Sequence, residues 1–162
     1  MANEAKKTTK PRQSAQVQDA TTLLRVDHQR VSRLFAAYEK TPTTARKKQL
    51  VAEICNELAL HAQVEEEIFY PEVKRALNDQ VLVPEATVEH ASLKALMVQI
   101  DGVEPDGEMF DAKIKVLAEY VSHHVKEEQE QIFPKARASD LDLVALGTRL
   151  AERKAEILAQ RA

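Results

Sequence analysis

The feature that most constrains this fold is a repeat: the two halves of the chain carry the same histidines, acidic residues and prolines at a nearly constant offset. An acidic residue followed by histidine occurs at Asp27-His28 and again, 62 positions later, at Glu89-His90. The other matching pairs have an offset of 63, and they are His61 with His124, Glu65 with Glu128 and Pro71 with Pro134. Four of the five histidines follow this rule, which predicts two similar structural halves.

Helix is the regular structure that the sequence favours. The chain has only three glycines, and its apolar residues recur every three or four positions. Two segments are expected to close the end of a bundle and to stop their helices at proline, and they are Phe69-Tyr70-Pro71 and Ile132-Phe133-Pro134. We expect helices over residues 20–40, 45–70, 84–101 and 108–133, and a last helix that begins after an N-cap at Ser139-Asp140.

The chain divides into three predicted parts. Residues 1–19 are a basic tail that we expect to be disordered, residues 20–134 form the main helical domain, and residues 135–162 form a C-terminal helix packed on it or extending it. The net charge of −3 predicts no nucleic-acid partner, and no stretch is long and apolar enough to predict a membrane partner. The first residues lack the apolar core of a secretory signal, so we expect a cytoplasmic protein. We also expect either a monomer or a weak oligomer.

The apolar faces of the first four helices carry ionisable residues. His28 shares a face with Leu24, and His61 and Glu65 continue the face of Leu58. Burying a polar group without a partner costs about 1 to 3 kcal/mol, and an unpaired charge costs more. Six such groups would exhaust a typical stability of about 5 to 15 kcal/mol, so they must contact one another or a ligand.

The spacing places these groups in one layer of the bundle. Each of the four histidines lies 16 or 17 positions from the turn of its hairpin, Thr44 in the first and Gly107 in the second. Residues equally far from the turn of an antiparallel hairpin lie at the same height. The glutamates follow one helical turn after two of the histidines. The predicted metal ligands are therefore His28, His61, Glu65, His90, His124 and Glu128.

The ligand set indicates a dinuclear centre. Imidazole and carboxylate ligands without thiolate suit iron, manganese or zinc. Four histidines and two carboxylates exceed what one ion ordinarily takes from a protein, and a carboxylate can bridge two ions. Each ion would take two histidines, either His28 with His61 and His90 with His124 or the crossed pairing, and both glutamates would bridge. An oxo or hydroxo group is expected as a further bridge, and each ion would keep an open position for a small ligand.

Further residues near the predicted centre have two interpretations each. Asp27 and Glu89 would either hydrogen-bond to the centre or ligate it, or lie in solvent as ordinary helix charges. Tyr120 would bind or donate to the centre, or pack at the edge of the bundle. His123 lies one position off the apolar face, which predicts a flanking residue, with an extra ligand as the alternative. Other glutamates, Glu66 among them, are expected to face solvent.

Taken together, these residues resemble the hemerythrins, and more closely the bacterial hemerythrin-like proteins with the HHE cation-binding domain. The resemblance is carried by Asp27-His28, by HAQVEEEIFYP from His61, by VEHASLKAL around His90 and by HHVKEEQEQIFP from His123. It implies an all-α, up-down-up-down four-helix bundle with a non-haem di-iron site that meets O2, peroxide or NO. Manganese and zinc remain as alternatives to iron.

One departure from the family pattern bears on function. Oxygen-carrying hemerythrins take two histidines one turn apart from the third helix, whereas this chain has Lys94 one turn after His90 and Ala86 one turn before it. The difference argues against reversible oxygen carriage. The resemblance then implies a protein that binds peroxide, NO or O2 in oxidative or nitrosative stress defence. Turnover is left open; it would make the chain a peroxidase, a catalase-like enzyme or an NO-related oxidoreductase with an unidentified redox partner.

Two other functions are compatible with the same residues. The first is non-enzymatic storage, sensing or delivery of iron or O2. The second is a helical interaction module in which the metal is structural and needs no open coordination position.

Overall fold

The computed structural model describes residues 18–162, and within that range every regular element is helical, which confirms the predicted all-α fold. The predicted disordered tail falls, for residues 1–17, outside the described residues. None of the helices in residues 18–162 combines the length and the apolarity needed to span a membrane. In chain order the elements are α1 (Ala20–Lys40), α2 (Thr44–Val64), a first π segment (Glu65–Phe69), α3 (Tyr70–Leu77), α4 (Leu82–Ile100), α5 (Glu108–Glu127), a second π segment (Glu128–Ile132), α6 (Phe133–Ala138) and α7 (Leu143–Arg161).

The bundle consists of two antiparallel hairpins. Helix α1 packs against α2, α4 packs against α5, and the hairpins meet where α2 contacts α4. Local signals start the helices: the side chains of Asp19 and Thr43 accept hydrogen bonds from backbone amides in the first turns of α1 and α2. The carboxylate of Asp79 accepts hydrogen bonds from the amides of Leu82 and Val83 and so caps α4.

The buried apolar residues form two clusters, one at each end of the bundle. Along α1, Leu24 belongs to one cluster and Val31 to the other, and along α2 the same holds for Val64 and Leu58. The ionisable groups of α1 and α2 lie between these positions. The polar layer is therefore enclosed by apolar side chains above and below it.

Neither proline stops its helix, so that prediction is wrong. Each π segment leads directly into a further α-helix, which carries the proline at its start. In the first π segment the N–H of Tyr70 donates to the carbonyl of Glu65, five residues back. The wider turn ends at Pro71, which has no N–H to continue the series and is tolerated in the first turn of the next helix.

Helix α7 packs on the bundle, where it contacts α1, α2 and the first π segment. Its N-cap is Asp142, whose carboxylate accepts a hydrogen bond from the amide of Ala145 at 3.0 Å, so the predicted cap at Ser139-Asp140 is wrong by two to three residues. Gly147 permits the close approach to α1, because a Cβ there would lie 2.9 Å from the backbone nitrogen of Ala20.

Candidate metal centre

The structure brings the four histidines of the repeat together in the middle of the bundle. The Nε2 atoms of His28 and His61 are 3.2 Å apart, and those of His90 and His124 are 3.1 Å apart. All four side chains are buried. Of the two pairings that the sequence leaves open, the arrangement matches the one within each hairpin.

Glu65 and Glu128 lie between the two histidine pairs, and both are fully buried. Each glutamate directs one carboxylate oxygen towards each pair, which is the arrangement that a bridging carboxylate needs. The oxygen-to-Nε2 distances are 3.0 Å to His61 and 3.2 Å to His90 for Glu65, and 3.0 Å to His28 and 3.6 Å to His124 for Glu128.

Protein donors leave most of these buried carboxylate oxygens without a hydrogen bond. Within residues 18–162, both oxygens of Glu65 and one oxygen of Glu128 make no hydrogen bond. A buried carboxylate without a partner is costly, and cations between the oxygens and the Nε2 atoms would satisfy all of them together. The ligand atoms fall into two groups that share Glu65, and within each group the atoms lie no more than 4.8 Å apart. The residues present therefore fit a pair of metal ions with nitrogen and oxygen ligands.

The pKa values reflect the same crowding of charge. Burial acts to lower the pKa of His61, but the charge of Glu65 and the hydrogen bond to Asp27 raise it to about 10. Burial likewise acts to lower the pKa of His124, but the hydrogen bond to Glu89 and the charges of the nearby glutamates raise it. Burial acts to raise the pKa of Glu65, yet the histidines beside it hold that pKa well below its ordinary value. The site thus favours ionised carboxylates next to positive charge.

A ring of polar side chains surrounds the histidines on the outside. Each of the four Nδ1 atoms faces one of them, so the rings are oriented with Nε2 towards the centre. For Asp27 and Glu89 the geometry is that of hydrogen bonding to a histidine. The distances to Nδ1 are 2.9 Å from Asp27 to His61, 3.0 Å from Glu89 to His124, 3.0 Å from the amide of Gln129 to His28 and 3.4 Å from Glu66 to His90.

The place of Glu66 corrects the expectation that it faces solvent. Its carboxylate lies beside His90 and also accepts from the ammonium of Lys94 at 2.7 and 2.8 Å. Glu66 and Gln129 are related by the repeat offset of 63, so the repeat indicates that the two side chains occupy corresponding places beside the centre. A second lysine, Lys154 of α7, donates to Asp27. Both lysines therefore bind the outer carboxylates rather than the centre.

Tyr70 is a site residue that the sequence pattern did not reveal. Its ring is predicted above to close the end of the bundle, but its hydroxyl donates to Glu128 at 2.6 Å and lies 3.3 Å from the Nε2 atoms of both His90 and His124. Burial and the nearby carboxylates raise the pKa of Tyr70 well above its ordinary value. The clue in the sequence was the spacing of five positions between Glu65 and Tyr70, because residues five positions apart share a face in a π segment.

Tyr120 and His123 do not reach the centre. The side chain of Tyr120 is about half exposed, at 48%, and lies with Val88 and Ser92 on the outer face of the second hairpin. His123 is 65% exposed, and its Nε2 lies 3.3 Å from the outer carboxylate of Glu89. Because successive helix positions differ by about 100°, His123 points away from the face that His124 occupies. Of the two interpretations given for each residue, the structure matches an edge position for Tyr120 and a flanking position for His123.

A small, mostly enclosed cavity of about 30 Å³ adjoins the histidines. About 10 to 15 Å³ of such space is enough to hold one water molecule, so the cavity admits molecules of very few atoms. Besides the four histidines, its walls are mostly aliphatic and include Val31, Leu58, Leu93 and Val121.

Comparisons with known proteins bear on the same residues. The model of a family described as the hemerythrin HHE cation-binding domain matches residues 19–136. A curated relative, the DNA nickase of Nostoc sp. (strain PCC 7120 / SAG 25.82 / UTEX 2576), is 29% identical over 126 residues, which cover 78% of this chain and 35% of that protein. This chain thus spans about a third of that relative's length.

A solved structure shares the fold. The crystal structure of a hemerythrin HHE cation-binding domain-containing protein from Mycobacterium kansasii superposes with a TM-score of 0.70. The two are 21% identical in sequence, and the match covers 85% of this chain and 86% of that one.

Proposed function

This chain belongs to the hemerythrin HHE cation-binding domain family, and from that premise we propose that it holds two iron ions and uses them to bind and turn over a small oxidant in oxidative or nitrosative stress defence. Peroxide, NO and O2 are the ligands in question. The family and the clusters of histidine and glutamate make it a metal-binding protein. The observation that carries the proposal further is the pair of buried glutamates between two histidine pairs, because three of their four carboxylate oxygens make no hydrogen bond within the described residues.

The ligand geometry supports two ions. One ion would be held by His28 and His61, the other by His90 and His124, and the glutamates would bridge them. Iron bound there supplies one-electron redox chemistry to a molecule in the adjoining cavity. The protein's own contribution is to orient each imidazole through its Nδ1 partner, and Tyr70 holds a proton at Glu128.

The cavity supports a ligand of a few atoms. At about 30 Å³ it has room for a diatomic molecule or peroxide but not for an organic substrate of drug size. Its aliphatic walls keep bulk water from the site, which protects a reactive oxidant from side reactions.

The near symmetry of the ligand set supports turnover over reversible oxygen carriage. Each ion would receive two histidines, and Lys94, which stands one turn after His90, binds Glu66 instead of the centre. The two ions would therefore be alike, and neither would be saturated by protein ligands.

Metal quantitation with an absorption spectrum tests the centre. We expect about two iron ions per purified chain and a near-ultraviolet charge-transfer absorption that changes with azide, peroxide or NO. One zinc ion per chain, or a stably folded chain that takes up no metal, contradicts the proposed pair. A spectrum insensitive to all three ligands favours the structural-metal alternative.

Peroxide consumption tests turnover. We expect steady consumption by the iron-loaded chain that is abolished in Glu65→Ala and in His124→Ala. The matched control is His123→Ala, which removes the neighbouring, exposed histidine and should leave the rate unchanged. Consumption that persists in both ligand variants refutes the assigned roles. A ligand-sensitive spectrum without consumption indicates sensing, storage or delivery.

A further inference from the structure

The two hairpins face each other on two sides of the bundle, between α2 and α4 and between α1 and α5. The repeat relates these two sides, but only one of them is spanned by an ion pair. Between α2 and α4, Lys94 is held by both carboxylate oxygens of Glu66, at 2.7 and 2.8 Å, and this ion pair lies across that side. The corresponding positions between α1 and α5 are Ser32, which matches Lys94 at an offset of 62, and Gln129, which matches Glu66 at an offset of 63. Serine and glutamine form no such ion pair there.

A groove of about 500 Å³ opens on the side without the ion pair, between α1 and α5. We call it the α1–α5 groove. Its walls include four short side chains, and it extends inward as far as His28. The short side chains are Ser32, Ala36, Ala118 and Ser122.

The α1–α5 groove and the enclosed cavity share part of their walls. Val121, Val125 and His28 line both. A single layer of side chains therefore separates the open groove from the space beside the Nε2 atoms. Val121 and Val125 are therefore the side chains that a diatomic molecule must pass between the groove and the cavity.

The two sides also differ in the interior of the site. On the other side, the hydroxyl of Tyr70 lies 3.3 Å from the Nε2 atoms of His90 and His124. The corresponding residue, 63 positions later, is Phe133, which has no hydroxyl and stacks on His28 with ring centroids 5.9 Å apart. No phenol hydroxyl from this position competes for the space near His28 and His61.

We propose that small ligands reach the metal centre through the α1–α5 groove and meet it on the His28–His61 side. On the opposite side, the ion pair of Lys94 with Glu66 lies across the way to the cavity. This inference rests on the proposed function, since the ligand that enters is the one that the centre binds.

Azide association, followed by stopped-flow absorption on the iron-loaded chain, tests the route. The variant Ala36→Trp with Ser122→Trp fills the α1–α5 groove. Its matched control, Val98→Trp with Ala59→Trp, changes the corresponding positions between α2 and α4, at offsets of 62 and 63. None of the four residues belongs to the proposed ligand set.

We expect association to slow by about tenfold in the groove variant and to change by less than about twofold in the control. Iron content and the final azide spectrum should be the same in all three proteins. Slowing in the control alone places the route between α2 and α4, and equal rates in all three proteins exclude the groove as the route.

A second measurement does not depend on iron. Dissolved dioxygen is paramagnetic, and in the zinc-treated chain it should enhance the NMR relaxation of the methyl groups that it passes. We expect a larger enhancement at Val121 and Val125 than at Leu58 and Met97, and its loss in the groove variant. The opposite order overturns the proposed route. A wild-type chain that shows no azide response refutes the proposed function instead, and the relaxation data still decide the route.

Discussion

At the scale of single residues, one hydroxyl group is the difference between the two halves that lies nearest the histidines. Tyr70 and Phe133 occupy corresponding positions after the two π segments, and both rings lie against a histidine of the centre. Only Tyr70 carries an oxygen, and it donates to the buried carboxylate of Glu128. The repeat therefore supplies two similar histidine pairs, and this pair of aromatic residues distinguishes them.

Removal of that hydroxyl should weaken the fold measurably. In the metal-free chain, Tyr70→Phe deprives the buried Glu128 of its donor, which should lower the free energy of unfolding by about 1 to 3 kcal/mol in urea titrations. The control, Tyr120→Phe, lies on the half-exposed outer face and should change it by less than about 0.5 kcal/mol. Equal stability of Tyr70→Phe and wild type would show that the hydrogen bond contributes nothing.

At the scale of elements, the two π segments position the two buried glutamates of the candidate centre. Each begins at one of these glutamates and closes with a hydrogen bond from an aromatic residue five positions later, Tyr70 or Phe133. A π segment of this kind contains one residue more than the α-helix that would join the same two faces. The wider turn accommodates the surplus residue, so the glutamate and the aromatic ring stay on one face of the helix.

A surplus residue should be removable without loss of register. Deletion of Glu130, which is exposed in the second π segment, should shorten that turn to α geometry and leave Glu128 and Phe133 on one face. We expect this variant to unfold cooperatively, with a loss of up to about 3 kcal/mol where Pro134 meets the α-helical turn.

The matched deletion removes the exposed Lys115 from regular α-helix in α5. It turns the two halves of α5 by about 100° relative to each other, so Ile114 and Leu117 no longer share a face, and cooperative unfolding should be lost. Urea unfolding followed by circular dichroism distinguishes the two deletions. If both behave alike, the π segment contains no surplus residue.

At the scale of the whole molecule, α7 ties the C-terminal part of the chain to the centre. Lys154 of α7 donates to Asp27, and Asp27 in turn lies 2.9 Å from the Nδ1 of His61. Arg153 binds Glu67 of the first π segment at 2.7 Å. A helix outside the four-helix bundle thus contributes positive charge that holds one outer carboxylate in place.

The pH dependence of folding reports on these charges together. In the folded chain the pKa of His61 is raised from 6.5 to about 10, so its charged form contributes stability that is fully present below pH 6.5 and is lost as the pH rises towards 10. The free energy of unfolding of the metal-free chain should therefore fall across that window, as measured by urea titration at each pH. His61→Gln should flatten the fall.

Bound metal should remove this pH dependence of stability. A bound ion takes the place of the proton on the imidazole, so the loaded chain should not lose stability between pH 6.5 and 10 for this reason. A metal-free profile that is flat over the window would contradict the raised pKa.

Much of the centre was open to prediction because helical periodicity is a local property. The spacing of His61 and Glu65 places both on one face, and the repeat places His124 and Glu128 on the corresponding face, whatever the tertiary arrangement. The start of α1 at Ala20 also follows from a local signal, the N-cap Asp19. The π segments escaped prediction, because proline ordinarily ends a helix and the sequence does not show which carbonyl a widened turn will use.

By itself, the sequence determined the long helices, the repeat and the six residues that can face a common layer, since each depends on spacing along the chain. Only the tertiary structure decided that His28 lies against His61, that Lys154 reaches Asp27, and that Tyr70 enters the site. The tertiary structure also left a groove between α1 and α5 while an ion pair spans α2 and α4. The physical reason is distance along the chain: these contacts join residues up to 127 positions apart, and helix packing rather than helical period sets them.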